Sequence, residues 1–483
     1  MTKPPDYPCQ PEQLFEHFYQ ISQLPRPSGE EAALREHIVQ LAAEHNSTTA
    51  QDAIGNLVVY VPGSTGREAE PALIIQNHLD MVTVKTDDKE HDFSTDPLTL
   101  KVEQGWLLAD RTTLGADNGV GCAAALALMT DDAVSHPPLE LLFTVEEETG
   151  LYGASDLEAG LLSGQRMLNL DTEDWGELYV GCAGGRGWIL RRPLSWEEAD
   201  EALEYWRLDV RGLAGGHSGI QIHQQLGNAI KLLGQWLAET ADLDLRVASF
   251  QGGVAHNVIP REASLVFASS PGSKAKLDGI CHRLQQRWAS YLPAADSELS
   301  LQLISAPPGA LLERPDQQML QQVLLMFPHG AISYNQAQPA DLVDLSINMA
   351  VLRVNETGLY LESTLRYFNS EEALALEQQV RAIAQWLQAE IEDTVDYPGW
   401  QPDFDSELLA RAQNCYRESY GEDAAIKAIH AGLECGILKS KKPDTDIISF
   451  GPTIRGAHSP RERLEIATVE PFWKLLVSLL KDL

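Results

Sequence analysis

His78 and Asp80 stand two residues apart in Asn77-His78-Leu79-Asp80, at the end of an apolar run, so both project from one side of a strand. Asp117 opens a small-residue helical stretch in Leu114-Gly115-Ala116-Asp117-Asn118-Gly119, whose glycines permit a tight backbone path. Glu146-Glu147-Glu148 directly follows a second apolar run, Asp171 ends a third, and His458 follows a fourth in Gly456-Ala457-His458-Ser459-Pro460. Imidazoles and carboxylates on a rigid scaffold are the ligands a divalent cation requires. Two histidines with several carboxylates exceed the needs of one tetrahedral zinc, whereas a pair of ions sharing a bridging carboxylate uses them all. Singly, each residue has an ordinary reading: a hydrogen-bonded strand histidine, an aspartate cap, a solvated acidic turn. Their recurrence at successive strand ends favours a two-metal centre.

The elements that must position these side chains are short buried strands separated by helices. Ala72 to Leu79, Leu139 to Val145, Met167 to Leu170 and Asp446 to Phe450 are the strands; a helix is expected at 118–129 and another near Ser155. This pattern predicts an α/β catalytic domain with a mixed, mainly parallel sheet covered by helices, and charged strand ends facing a ligand crevice. Upstream, Ser28 and Glu31 fit a capping box before the helical stripe Leu34, Ile38, Leu41 and Ala42. Residues 52–60 read as a turn entering a strand.

From Trp188 to Pro398 the texture changes. Alternating stretches (205–210, 264–267, 299–303, 357–365) are interspersed with amphipathic ones (228–237, 371–391). The expected organisation is a catalytic domain of residues 1–187 and 399–483, interrupted by an α+β insert at 188–398 with room for two α+β units.

Composition bounds the partners. The 483 residues predict about two to four folding units, and 44% hydrophobic with 22% charged residues excludes disordered and collagen-like classes. Thirty-six Lys+Arg against 70 Asp+Glu give a net charge of −34, which repels phosphate backbones and anionic lipid headgroups. Nucleic acid and membrane surfaces are therefore poor partners, while metal cations and small substrates bearing an amine are favoured. No apolar run approaches the ~20 residues of a membrane span, and the first ten residues lack a secretory pattern. Six scattered cysteines without a CxxC pair read as free thiols of a reducing compartment, so a cytoplasmic protein is expected.

At these residues the sequence resembles the zinc-dependent peptidase family of carnosinases, aminoacylases and bacterial dipeptidases, most closely its aminoacyl-histidine dipeptidase branch. The resemblance spans nearly the whole chain. Its motifs include residues 26–29, 77–82, 114–119, 147–150, 169–173, 215–219, 430–436 and 451–454. It implies that His78, Asp117 and Asp171 hold one zinc and that Asp117, Glu148 and His458 hold the other, with Asp117 bridging and a non-proline cis peptide at Asp117-Asn118. Asp80 would orient His78 through its other ring nitrogen, and Glu147 would be the general base toward a hydroxide shared by the metals. His217, in the insert, would act as a lid residue that stabilises the oxyanion, from its own chain or across a homodimer. For the substrate, Arg366 could pair with the carboxylate, Glu434 could receive the amine, and Asn257 could hold lid-side backbone.

The implied activity is hydrolysis of unblocked dipeptides, Xaa-His and β-alanyl-histidine (carnosine) among them, with two Zn2+ per chain and Mn2+ or Co2+ as possible substitutes. Alternatives are an N-acyl-amino-acid amidohydrolase of the same build and a non-catalytic peptide-binding homologue. Two departures from the branch, at 344–348 and at Tyr367, bear on substrate preference.

Overall fold

The computed structural model describes residues 3–335 and 342–483. Two compact units emerge: Met1–Cys182 with Trp400–Ala428 and Leu433–Leu483, and Ala183–Gly399 with Ile429–Gly432. The first boundary lies at Ala183 rather than at 188, and Ile429–Gly432 goes with the second unit. The reason is backbone bonding: the Ala183 N–H is shared by the carbonyls of Ile429 and Ala431, each at 3.0 Å.

In chain order the first unit contributes strands β1 (Thr48–Gln51), β2 (Leu57–Val61), β3 (Leu73–His78), β4 (Leu100–Glu103), β5 (Trp106–Ala109), β6 (Leu139–Thr144), β7 (Arg166–Asn169) and β8 (Glu177–Cys182). Its helices begin with α1 (Glu12–Ser22), α2 (Ala32–Glu44), α3 (Ala116–Thr130) and the single turn α4 (Glu147–Gly150). An eight-stranded sheet has the order β1, β2, β6, β3, β7, Asp446–Ser449, β8, Ala425–Ile429. β3 runs parallel to both β6 and β7, and β7 runs parallel to Asp446–Ser449. The carboxyl ends of four strands therefore gather at one edge, where ligands of open α/β sheets bind. β4 and β5 instead form a small sheet with Arg463–Glu465 and Ile454–Arg455.

Every residue of β3 and β6 is buried, as expected of strands covered on both faces. Helix α3 packs against β3 and α1, and its run of glycine and alanine lets it approach closely. The capping box forms differently from the sequence expectation. Glu31 itself occupies the N-cap of α2 without a side-chain cap bond. The Ser28 hydroxyl donates instead to Asp80 Oδ2 at 2.7 Å, because a buried carboxylate is the stronger acceptor. Glu31 Oε1 accepts the N–H groups of Gly29 and Glu146 at 2.9 and 3.1 Å.

The second unit contains a nine-stranded sheet, with Val343–Asn355 and Gly358–Tyr367 pairing antiparallel. Helices Ala229–Glu239, Lys274–Ala289, Arg314–Met326 and Ser370–Leu387 belong to it, and Trp188, Trp236, Phe267 and Trp288 lie in its core. The amphipathic stretch at 371–391 is helical only to Leu387; Gln388 turns left-handed (φ 53°) and a strand starts at Glu390. Among the described residues no helix is long and apolar enough to cross a membrane.

Gly121 of α3 has no room for a side chain: a Cβ there would fall closer than 3.0 Å to the Asn77 and Asn118 side chains and to the Leu170 carbonyl. Gly121→Ala is expected to destabilise the protein by about 1–3 kcal/mol, read as a lower thermal midpoint; an unchanged midpoint would contradict this packing of α3 on the sheet.

Candidate metal centre

Alternation along β3 puts Gln76, His78 and Asp80 on one side of the chain, and the parallel register brings His78 opposite Thr144, three residues before Glu147. Glu146 adopts a left-handed conformation (φ 50°), and the chain then enters α4. Asp171 follows β7 by two residues. His458 comes from the loop between the Asp446–Ser449 strand and the final helix, itself with φ 59°. Gly115, also left-handed (φ 64°), turns the chain into α3, and the Asp117–Asn118 peptide is cis.

The side chains meet. His78 Nε2 lies 3.1 Å from Asp117 Oδ1 and 3.4 Å from Asp171 Oδ1. His458 Nε2 lies 3.2 Å from Asp117 Oδ2 and 3.0 Å from Glu148 Oε2. Each oxygen of Asp117 thus faces a different histidine. One ligand atom from each of His78, Asp117 and Glu148 falls within 4.8 Å of the others. Asp80 is fully buried behind them: its Oδ1 lies 3.3 Å from His78 Nδ1, and its two oxygens accept the N–H groups of Glu147 and Glu148 at 3.0 and 3.1 Å.

Divalent cations fit this donor set. Glu148 Oε1 is buried without a hydrogen-bond partner, and Asp171 Oδ1 faces only the His78 ring at 3.4 Å, an arrangement that leaves room for positive charge among these carboxylates. The local acidities agree. Burial, with the nearby Asp117 and Glu148 charges, lifts Asp171 to about 6. Burial, Asp171, Glu148 and Glu434 together push Glu147 well above the carboxylate range. Bonds to Asp117 and Glu148 raise His458 to about 11. Asp80 stays low at about 2: although burial opposes ionisation, His78, Ser28 and the Glu148 N–H stabilise its charge.

Glu434 belongs to the same unit and is fully buried; its Oε2 accepts from Gln76 Nε2 at 2.6 Å and Thr144 Oγ1 at 2.7 Å, while Oε1 has no partner. His217, Asn257 and Arg366 belong to the second unit. His217 pairs through its short strand with Val258, and the Asn257 carbonyl accepts the Ser218 N–H at 2.8 Å. Arg366 donates to the Tyr397 hydroxyl at 3.1 Å and keeps a buried Nε without a partner.

Sequence reasoning gave no role to several residues that hold this arrangement, although Arg26, Asn169 and Glu173 lie within the motifs quoted above. Arg26, 2% exposed, donates to the carbonyls of Leu79, Asp80 and Gly115. Gln76 and Asn169 join their amides behind the ligands at 2.5 Å. Glu173 is lifted to about 8, by burial first and then by Asp117. The available signal was alternation: Gln76 and Asn169 each precede a ligand by two residues within otherwise apolar strands.

The family model described as Peptidase family M20/M25/M40 matches residues 74–482. The chain belongs to this family. It is a metallopeptidase with dipeptidase relatives. The cytosol non-specific dipeptidase of Escherichia coli (strain K12) is 36% identical over 475 residues, 98% of each chain. The crystal structure of aminoacylhistidine dipeptidase from Vibrio alginolyticus superposes with a TM-score of 0.90 at 36% identity, covering 98% of this chain and 97% of that one. Aminopeptidase PepT from Bacillus cereus ATCC 10987, 14% identical with a TM-score of 0.56 over 98% of both chains, shares the fold.

Returning a divalent cation to the chelator-stripped protein is expected to raise its thermal midpoint, since a ligand that binds only the folded state stabilises it. Asp117→Asn, which alters the group between the two histidines, should lose most of that rise in a fluorimetric melt; a wild-type midpoint indifferent to every cation tried would remove the metal reading.

Proposed function

We propose that this chain hydrolyses the single amide bond of unblocked dipeptides in the cytoplasm, Xaa-His peptides and carnosine among them, with two Zn2+ ions and as a homodimer. The supporting observation is the convergence of His78, Asp117, Asp171, Glu148 and His458 in a chain 36% identical to a dipeptidase along 98% of both lengths. His78, Asp117 and Asp171 would hold one ion, and Asp117, Glu148 and His458 the other; an Asp117 whose two oxygens face different histidines supports its bridging role.

When bound, the ions supply Lewis acidity toward the scissile carbonyl and the attacking water. Glu147 takes a proton from that water as its oxygen adds to the carbonyl carbon. It then delivers the proton to the amine nitrogen as the C–N bond breaks, so water and amide become carboxylic acid and amine, and the acid's proton passes on to the amine. Asp80 fixes this base by accepting its backbone N–H, and it faces the His78 ring from behind.

The second unit would supply recognition. Burial, with the Arg366 and His256 charges, holds His217 down to about 4, so its ring is neutral at physiological pH. Its Nδ1 accepts the N–H groups of Gly219 and Ile220 at 3.1 and 3.3 Å, which leaves the proton on Nε2 as a donor for the developing oxyanion. The unpartnered Nε of Arg366 supports a role in pairing with the terminal carboxylate. The open Oε1 of Glu434 supports its receiving the amine, and Asn257 would hold backbone beside His217.

A substrate panel tests the reading. Metal-stripped protein given zinc stepwise should regain hydrolysis at about two equivalents, act on two-residue peptides only, and leave N-acetyl amino acids untouched. Cleavage of N-acetyl amino acids with none of free dipeptides would make the chain an amidohydrolase instead. Glu147→Gln is expected to lower kcat by about 10²–10⁴-fold while zinc content stays at the wild-type level; undiminished turnover would dismiss Glu147 as the base.

A further inference from the structure

We propose that Glu462 is a positioning residue of the metal centre, a carboxylate that fastens the loop bearing His458 to the backbone of the loop bearing Asp117. The inference rests on the metal reading above. Glu462 is 3% exposed and lies four residues beyond His458. Its Oε2 accepts the N–H groups of Leu114 and Gly115 at 2.8 and 3.0 Å, and its Oε1 those of Ala116 and Asp117 at 2.7 and 3.4 Å. These donors lead into helix α3, whose first N–H groups have no partners within the helix. No side chain of α3's N-cap, Gly115, can serve them.

The bonds do more than cap a helix. Asp117 and His458 are separated by 341 residues, yet Asp117 Oδ2 must stay 3.2 Å from His458 Nε2. One carboxylate bonded to the backbone of Asp117 itself, and attached one short loop away from His458, sets that spacing directly. Arg26 completes the brace from the other side. Its guanidinium donates to the Gly115 carbonyl and, at 2.7 and 2.6 Å, to the carbonyls of Leu79 and Asp80. The Gly115 residue is thus held through its N–H by Glu462 and through its C=O by Arg26. Three segments bearing ligands of both proposed ion sites are thereby tied together.

Glu462→Gln keeps the shape but sets an amide NH2 against two backbone N–H groups, leaving donors facing donors. Partners that orient ligands typically alter metal affinity by about 10–100-fold. The matched control is Glu140, 4% exposed, which accepts the N–H groups of Ser163 and Gly164 near the amino end of β6, away from the ligand edge. Metal-stripped full-length proteins are titrated with Co2+ and followed by visible absorption, with near-ultraviolet circular dichroism to monitor folding. Glu462→Gln should bind Co2+ at least tenfold more weakly and with altered bands, whereas Glu140→Gln should lower the thermal midpoint and leave the titration within twofold of wild type. Should Glu462→Gln not fold, Glu462→Asp is read in its place and should also weaken Co2+ binding, the shorter carboxylate reaching fewer of the four N–H groups. Wild-type affinity and bands in the variant read, or an equal loss in Glu140→Gln, would overturn the proposal. A wild-type chain that takes up no Co2+ would instead overturn the metal reading on which it rests.

Discussion

Crowding of negative charge is the constraint around which the first unit is organised. Asp80, Asp117, Glu147, Glu148 and Asp171 converge at one edge of a sheet, with Glu173, Glu434 and Glu462 close behind. Like charges at such spacing repel strongly where water is scarce. The structure relieves the repulsion group by group. Asp80 receives two backbone N–H groups and a serine hydroxyl, Glu462 receives four N–H groups, and Asp117 lies between two imidazoles. Burial, ahead of the neighbouring carboxylates, lifts Glu434 and Glu173 to about 8. What is left over is concentrated at Glu148, whose Oε1 has no partner, and at Asp171, and it points to divalent cations as the remaining compensation.

The parallel sheet makes this concentration possible. Because β3, β6, β7 and Asp446–Ser449 all run the same way, every crossover returns its strand end to one edge. Loops of very different sequence origin can then contribute ligands without long excursions. Their backbones are held in turn by buried polar groups, with Arg26 and Glu462 as the principal ties. The second unit contrasts with this locally. Arg366 lies near His217 and His430 there, and burial with the Arg366 charge holds these two imidazoles down to about 4 and about 3.

Much of the first unit was legible. The apolar runs at 72–79, 139–145, 167–170 and 446–450 became strands whose ends differ from these by at most one residue, because buried parallel strands need continuous apolar sequence. The positions of His78, Asp171 and His458 at or beyond the ends of these runs, with Asp117 at the start of the helix that follows the first, indicated a shared edge. Ser28 was less legible: its spacing to Glu31 matches a helix cap, but a buried Asp80 more than fifty residues away took the hydroxyl. Glu462 carried no local signal, since a glutamate in a charged loop ordinarily faces solvent. Nor did the pattern separate Ile429–Gly432 from its neighbours, because that division follows backbone bonds to Ala183.

The sequence by itself determined which chemical groups are present and which local pairs they form. A period of two places His78 beside Asp80, and an apolar run ending in an acid puts that acid at a strand end. Only the tertiary structure decided that one oxygen of Asp117 faces His78 while the other faces His458, and that Glu462 binds the peptide between them. Those relations depend on closing loops across hundreds of residues and on backbone N–H groups that nearly every residue possesses, so side-chain identity could not announce them.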